Sequence, residues 1–134
     1  MPFQLYLTVA LGGALGTIAR FAASGLVATH FGETFPWGTL IVNVTGSFII
    51  GFFATLTAPD GRVFVSGPTR QFVMTGFCGG YTTFSSFSLQ TLNLLRDGEW
   101  LPVAGNVFGS VTLCLIFVWL GSVCATAINQ LKGA

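Results

Sequence analysis

The sequence predicts an all-α membrane protein with four transmembrane helices, the third of them broken. Three observations support this fold class. Hydrophobic residues make up 52% of the 134 residues and charged residues only 7%, and the mean hydropathy of +0.79 is too high for a soluble domain of this size. The apolar residues fall into four long segments, and a run of glycines and threonines interrupts the third.

A spanning helix needs about 20 mostly apolar residues. Short connections that contain turn-forming and charged residues separate the four segments that meet this requirement. The predicted spans are residues 5–29, 40–56, 72–95 and 103–131. No connection is long enough to fold alone, so residues 1–134 are predicted to form a single transmembrane domain.

Small residues line one face of each of the first two predicted helices. In the first, Gly12, Gly16 and Arg20 follow each other at i, i+4 spacing, which predicts close packing with a guanidinium at the end of that face. Arg20 either extends to the membrane surface or lowers the cost of a nearby anion. In the second, Asn43 precedes Gly46, and its amide either holds a neighbouring helix or meets a ligand.

The third span contains the stretch that is least compatible with a membrane helix. Paired glycines and adjacent β-branched threonines disfavour continuous helix from Gly79 to Thr83. Lipid cannot satisfy the N–H and C=O groups that such a break exposes, so the break must be buried in protein, line a wet cavity or hold an ion. It is therefore the predicted functional centre.

The residues after the break predict a two-faced helix. Phe84, Phe87 and Thr91 share one side, and Ser86 and Gln90 begin a polar stripe on another. The phenylalanine pair is either core packing or the wall of a pore. The fourth span has a similar polar stripe beside a GxxxG pattern, so the two stripes are predicted to face each other; its members are Gly105, Asn106, Gly109, Ser110 and Cys114.

Composition and motifs exclude several function classes. The formal net charge of +1 provides no field for nucleic acid. The sequence has no carboxylate pair, HExxH or GxSxG motif, so no catalytic residue and no enzymatic activity are predicted. The three cysteines show no metal-ligand spacing and are interpreted as small buried apolar residues.

The polar groups at membrane depth suit an anion. They are neutral donors, Thr83 among them, with Arg20 as a cation and without an embedded Asp or Glu. Hydroxyl and amide protons stabilise negative charge, and so does the positive rim of a phenyl ring, without binding an ion too tightly for conduction. Carbonyls freed near Gly79 and Thr82 could instead supply one cation site.

Orientation in the membrane is weakly specified. Arg62, Arg70 and Lys132 lie on the side of the termini and Arg96 on the other, which is a thin bias for the positive-inside rule. A chain this small has little interior for a pathway. An antiparallel homodimer, with both orientations inserted, is therefore predicted.

Motifs over nearly the full length of the chain resemble those of the Fluc (CrcB) family of bacterial fluoride channels. They lie at Gly12–Arg20, Trp37–Gly46 and Gly76–Phe87. The resemblance implies a dual-topology antiparallel homodimer in the bacterial inner membrane. Its two pores would export cytoplasmic fluoride passively down its gradient, which would protect the cell from fluoride toxicity.

The resemblance also implies roles for individual residues. Phe84 and Phe87 would present ring edges to the pores, Asn43 would be a polar pore contact, and Ser110 would lie on the polar track of helix four. Backbone carbonyls of Gly79 and Thr82 would bind a structural sodium ion at the centre of the dimer. Asn106, Cys114 and Gln90 stand where some members have a tyrosine, a serine and a glutamate.

Two other function classes fit parts of the pattern. A proton-coupled small multidrug exporter also uses four short helices and antiparallel dimers, but it needs a titratable carboxylate within the membrane, and the predicted spans place none at depth. A non-transporting scaffold would use the same stripes only to hold partner helices together. Fluoride flux at the background rate would favour the scaffold.

Overall fold

A computed structural model describes residues 2–131 of the chain. The described residues form helices and connections, with three long helices that dominate the fold. The helices in chain order are α1 (Phe3–Phe31), α2 (Trp37–Leu56), α3 (Gly67–Gln71), a π-helical segment (Phe72–Cys78), α4 (Gly79–Tyr81), α5 (Phe84–Arg96) and α6 (Trp100–Gln130).

Three of these helices are long and apolar enough to cross a membrane: α1, α2 and α6. The third predicted span is not one helix, because α3, the π-helical segment and α4 run without interruption up to Tyr81, and α5 begins only at Phe84. The all-helical membrane fold is confirmed. The number of four transmembrane helices stays a prediction.

The interruption is shorter than the sequence predicts. Gly79, Gly80 and Tyr81 are helical, contrary to the prediction that helix is disfavoured from Gly79 onward, and only Thr82 and Thr83 are extended. Gly80 tolerates helix here because it packs against the backbone of α1, where a larger residue would overlap the carbonyl oxygen of Gly13. Close packing therefore outweighs the low helix propensity of glycine.

The small-residue face of α1 packs as predicted. A Cβ atom on Gly12 would overlap the carbonyl oxygen of Phe72, and one on Gly16 would overlap that of Phe77. Both neighbours belong to the π-helical segment, so α1 lies directly against the backbone that leads to the interruption.

Within the part of the chain that the structure describes, the most extensive contact between helices joins α2 and α6. Gly51 of α2 touches the backbone of Val118, and Gly121 of α6 touches the backbone of Phe48. The GxxxG pattern at Gly105 and Gly109 does not make this contact, since a Cβ atom at either position would meet nothing within 4 Å in the described chain. The close crossing therefore lies about three turns further along α6.

Candidate functional site

The site is built around Thr82 and Thr83, the two extended residues between α4 and α5. The hydroxyl groups of both residues make hydrogen bonds beside this break in the helix. The Thr82 hydroxyl donates to the carbonyl oxygen of Cys78 at 2.9 Å, and the Thr83 hydroxyl accepts from the backbone N–H of Ser86 at 3.1 Å. Thr83 is thus the N-cap of α5, a position that threonine favours.

Asn43 replaces the backbone bonds that the interruption removes. Its Nδ2 donates to the carbonyl oxygen of Thr83 at 3.0 Å, and its Oδ1 accepts from the N–H of Thr83 at 2.7 Å. One side-chain amide therefore satisfies both polar groups of one residue, at a depth where water is scarce. Of the two alternatives that the sequence leaves open for Asn43, the structure shows the contact with a neighbouring element.

The second hydrogen on Asn43 Nδ2 is not used in this pair. An amide nitrogen has two donors, and only one goes to Thr83. Because Oδ1 is bonded to the N–H of Thr83, the amide cannot reverse its orientation without losing both bonds. Asn43 is therefore held as a donor toward its surroundings.

Arg20 supports the same region from α1. Its Nε donates to the carbonyl oxygen of Gly80 at 2.9 Å, and the side chain is half-buried. Arg20 does not line the cavity that opens beside Thr82 and Thr83. Its predicted part in an anion pore stays a prediction, and its direct role here is to satisfy a carbonyl near the interruption.

A cavity of about 430 Å³ opens beside the extended residues. Five of the six residues predicted to line an anion pore border it, together with both residues predicted to offer carbonyls to a cation. These residues are Asn43, Thr83, Phe84, Phe87, Ser110, Gly79 and Thr82. They come from α2, α4, α5, α6 and the interruption, so the fold brings distant parts of the sequence to one place.

The two phenylalanines differ in their surroundings. Their ring centroids lie 5.3 Å apart and the ring planes meet at 42°, a tilted pair at a separation that aromatic side chains favour. Phe87 is only 9% exposed, whereas Phe84 is 75% exposed. Packing within the chain therefore holds the Phe87 ring in place. The Phe84 ring borders the cavity but is mostly exposed.

The interruption also places opposite helix ends next to the cavity. The N-terminus of α5 carries partial positive charge from its free N–H groups, and the C-terminal end of α4 carries partial negative charge from its carbonyls. An N-terminus favours an anion, and freed carbonyls favour a cation. The sequence contains a signal for the start of α5, because threonine is favoured at an N-cap position. It contains no signal for the pairing of Asn43 with Thr83.

A polar contact between α5 and α6, and a second one within α6, lie beside the cavity. Asn106 Nδ2 donates to Thr91 Oγ1 at 2.9 Å, and Ser110 Oγ donates to Asn106 Oδ1 at 3.2 Å. The prediction that the two polar stripes face each other is wrong, because the stripe of α6 contacts Thr91 on the aromatic side of α5. Gln90, on the polar stripe of α5, lines a separate polar cavity of about 540 Å³ with Asn93.

Comparison with known proteins places the chain in a family. Residues 7–122 match the family model described as "CrcB-like protein, Camphor Resistance (CrcB)". A protein of Opitutus terrae named "Fluoride-specific ion channel FluC" is 70% identical over 131 residues, which cover 98% of this chain and 99% of the relative. Proteins of the same name are 62% identical in Rhodospirillum rubrum, covering 93% of this chain and 97% of the relative, and 58% identical in Methylocella silvestris, covering 96% and 98%.

Proposed function

Because this chain belongs to the CrcB-like family, we propose that it is a fluoride-selective passive ion channel, through which cytoplasmic fluoride leaves the cell down its gradient. Export would protect the cell from fluoride toxicity. The predicted resemblance to this family is confirmed, and so is the expectation that the chain is not an enzyme, since the relatives are ion channels by name. The long apolar helices fit a multi-pass membrane protein, and we place it in the bacterial inner membrane.

The cavity beside the interruption is the observation that carries this proposal. Its lining combines neutral donors from Asn43 and Ser110 with the phenyl rings of Phe84 and Phe87. Fluoride is small and accepts hydrogen bonds strongly, so donors and positive ring edges can replace part of its water. Neutral groups also let the ion leave again, which conduction requires.

Fluoride efflux from liposomes tests the proposed function. Purified protein should dissipate a fluoride gradient measured with an electrode, and a chloride gradient should persist. Replacement of Phe87 by isoleucine removes the ring edge and should slow fluoride efflux about tenfold or more, because even one lost contact of about 1.4 kcal/mol in the transition state has that effect.

Phe108 provides the matched control for that substitution. It lies on α6, is exposed and is absent from the cavity lining, so Phe108→Ile should leave efflux nearly unchanged. Equal rates for fluoride and chloride would contradict the proposed selectivity. Background fluoride efflux by the unsubstituted protein would favour a scaffold, and drug transport coupled to protons would favour an exporter.

Assembly as an antiparallel homodimer with two pores is part of the proposal. Its support is the polar surface around the interruption, because Gly79, Ser85 and Ser88 are exposed in the single chain at a depth where lipid offers no hydrogen bonds. A second copy would cover this surface. Light scattering in detergent should give the mass of two chains, and a single-chain mass would contradict it.

The small difference in positive charge between the two sides of the membrane supports insertion in both orientations. The side chain of Arg62 donates to the carbonyl oxygen of Ile128 and that of Arg70 to the carbonyl oxygen of Thr57, so both charges are bound at helix C-termini. Lys132, the third charge on that side, lies outside the described residues. A cysteine placed at Asp60, in a chain without its native cysteines, should react with an impermeant reagent from both sides of the membrane; labelling from one side alone would argue against dual topology.

A sodium ion between the two copies would bind backbone carbonyls of Gly79 and Thr82. The residues present fit such an ion, because Thr83 donates its N–H to Asn43 and Ser86 donates its N–H to the Thr83 hydroxyl. An unbroken helix would direct those two N–H groups to the carbonyls of Gly79 and Thr82. Two copies would supply four oxygens, and sodium would balance their partial negative charge.

Sodium binding is expected to stabilise the dimer, because the ion binds only the assembled carbonyl site. Replacing sodium by N-methylglucamine throughout purification should lower the melting temperature of the protein in detergent, and adding sodium should restore it. Potassium should restore less. An unchanged melting temperature in all three buffers would count against the site.

A further inference from the structure

Asn106 is the most deeply buried polar side chain near the cavity, although it does not line the cavity. It is only 2% exposed and lies in the second turn of α6. A buried amide must find partners, since a buried donor or acceptor without one is costly. The partners of Asn106 are Thr91 on α5 and Ser110 one turn further along α6.

The bond from Asn106 to Thr91 has a fixed direction. The amide N–H can only donate, so the Thr91 oxygen accepts it at 2.9 Å. The single hydroxyl proton of Thr91 then goes to the carbonyl oxygen of Phe87 at 2.7 Å. Asn106, Thr91 and the Phe87 carbonyl thus form a chain of hydrogen bonds, which we name the Asn106 relay, and it ties the turn of α5 that carries Phe87 to α6.

The other half of the amide acts on Ser110. Asn106 Oδ1 accepts the hydroxyl proton of Ser110 at 3.2 Å. An anion that accepts a hydrogen bond from Ser110 must compete with Asn106 Oδ1 for the hydroxyl proton. This competition weakens the binding of the anion at Ser110. Both ends of the network, Phe87 and Ser110, line the cavity.

On the premise of the proposed fluoride conduction, we propose that Asn106 is a positioning residue of the pore, which fixes the Phe87 turn through Thr91 and directs the Ser110 hydroxyl. It acts through these residues and does not touch the ion.

Variants of Thr91 test the relay with little change of volume. Thr91→Val removes the hydroxyl that accepts from Asn106 and donates to Phe87, and it should lower fluoride efflux about tenfold and reduce the ratio of fluoride to chloride rates. Thr91→Ser keeps the hydroxyl and should stay within about twofold of the unsubstituted protein. Asn106→Leu should lower efflux at least as much as Thr91→Val, and the double variant should be no slower than Asn106→Leu, because residues in one network do not add.

A second hydroxyl pair gives the control for lost interhelical bonding. The hydroxyl oxygens of Thr55 on α2 and Ser122 on α6 are 2.8 Å apart, away from the cavity lining. Thr55→Val should therefore change neither the efflux rate nor the ratio of fluoride to chloride rates by more than about twofold.

The proposal is overturned if Thr55→Val behaves like Thr91→Val, if Thr91→Ser is as slow as Thr91→Val, or if the effects of Asn106→Leu and Thr91→Val multiply. Should Asn106→Leu not assemble, the Thr91 pair decides alone. Fluoride efflux at background by the unsubstituted chain would overturn the proposed function, whereas normal efflux by Thr91→Val would overturn only the relay.

Discussion

Fluoride efflux should fall by at least about a hundredfold when Asn43 is replaced by leucine. Leucine keeps the branching of asparagine at Cγ but leaves the N–H and the carbonyl oxygen of Thr83 without the partners that Asn43 provides. Each unpaired buried group costs about 1–3 kcal/mol, and the chain can avoid that cost only by rearranging between α4 and α5. The substitution also removes a donor from the cavity lining.

Electrode measurements on liposomes that contain equal amounts of dimer give the rate for this variant. Asn129 is the matched control, because its amide also bridges two backbone groups: it donates to the carbonyl oxygen of Thr55 and accepts from the N–H of Arg62. That bridge lies at the end of α6, away from the cavity. Asn129→Leu should therefore retain most of the efflux, and an Asn43→Leu protein that conducts at the normal rate would show that the bridge to Thr83 is dispensable.

Replacing Gly16 with valine should prevent correct assembly of the protein. The added Cβ would overlap the carbonyl oxygen of Phe77 and would lie 2.9 Å from the backbone nitrogen of Tyr81. Backbone atoms of a packed helix cannot move aside as a flexible side chain can. We therefore expect the free energy of unfolding to fall by about 3 kcal/mol or more, at the upper end of the cost of overpacking. The displaced α1 would also withdraw Arg20 from the carbonyl oxygen of Gly80.

Size-exclusion chromatography and thermal melting in detergent measure this effect before any transport assay. Gly25 lies on the same helix, and a Cβ atom there would meet nothing within 4 Å among the described residues, so Gly25→Val controls for the general effect of valine on α1 and should stay monodisperse. If Gly16→Val eluted and melted like the unsubstituted protein, the close contact between α1 and the π-helical segment would not be needed for the fold.

The local features that were predicted correctly depend on composition and spacing. Gly12 and Gly16 lie on one helical face, and residues with no side chain allow two backbones to approach each other whatever the partner is. The long apolar runs predict α1, α2 and α6 because a membrane segment must satisfy its own backbone. Such requirements can be read from the sequence alone.

Long-range pairings could not be predicted in this way. Nothing in the sequence indicates that Asn43 meets Thr83, forty positions later, and not another helix, because an amide pairs equally well with any exposed backbone group. The same holds for Thr91 and Asn106. The GxxxG pattern at Gly105 and Gly109 shows the reverse case, in which a permitted contact is not made within the chain because α2 crosses α6 at Gly121.

The amino-acid sequence determined that this protein is an all-helical membrane protein with a weak point near Thr83, because hydrophobic length and backbone propensity act locally. Only the tertiary structure decided where that weak point opens and which groups surround it. Gly80 and Tyr81 stay helical because α1 packs against them, and Thr82 and Thr83 become extended, with Asn43 supplying hydrogen bonds to Thr83. The physical reason is that a polar group at membrane depth takes the partner that packing places beside it.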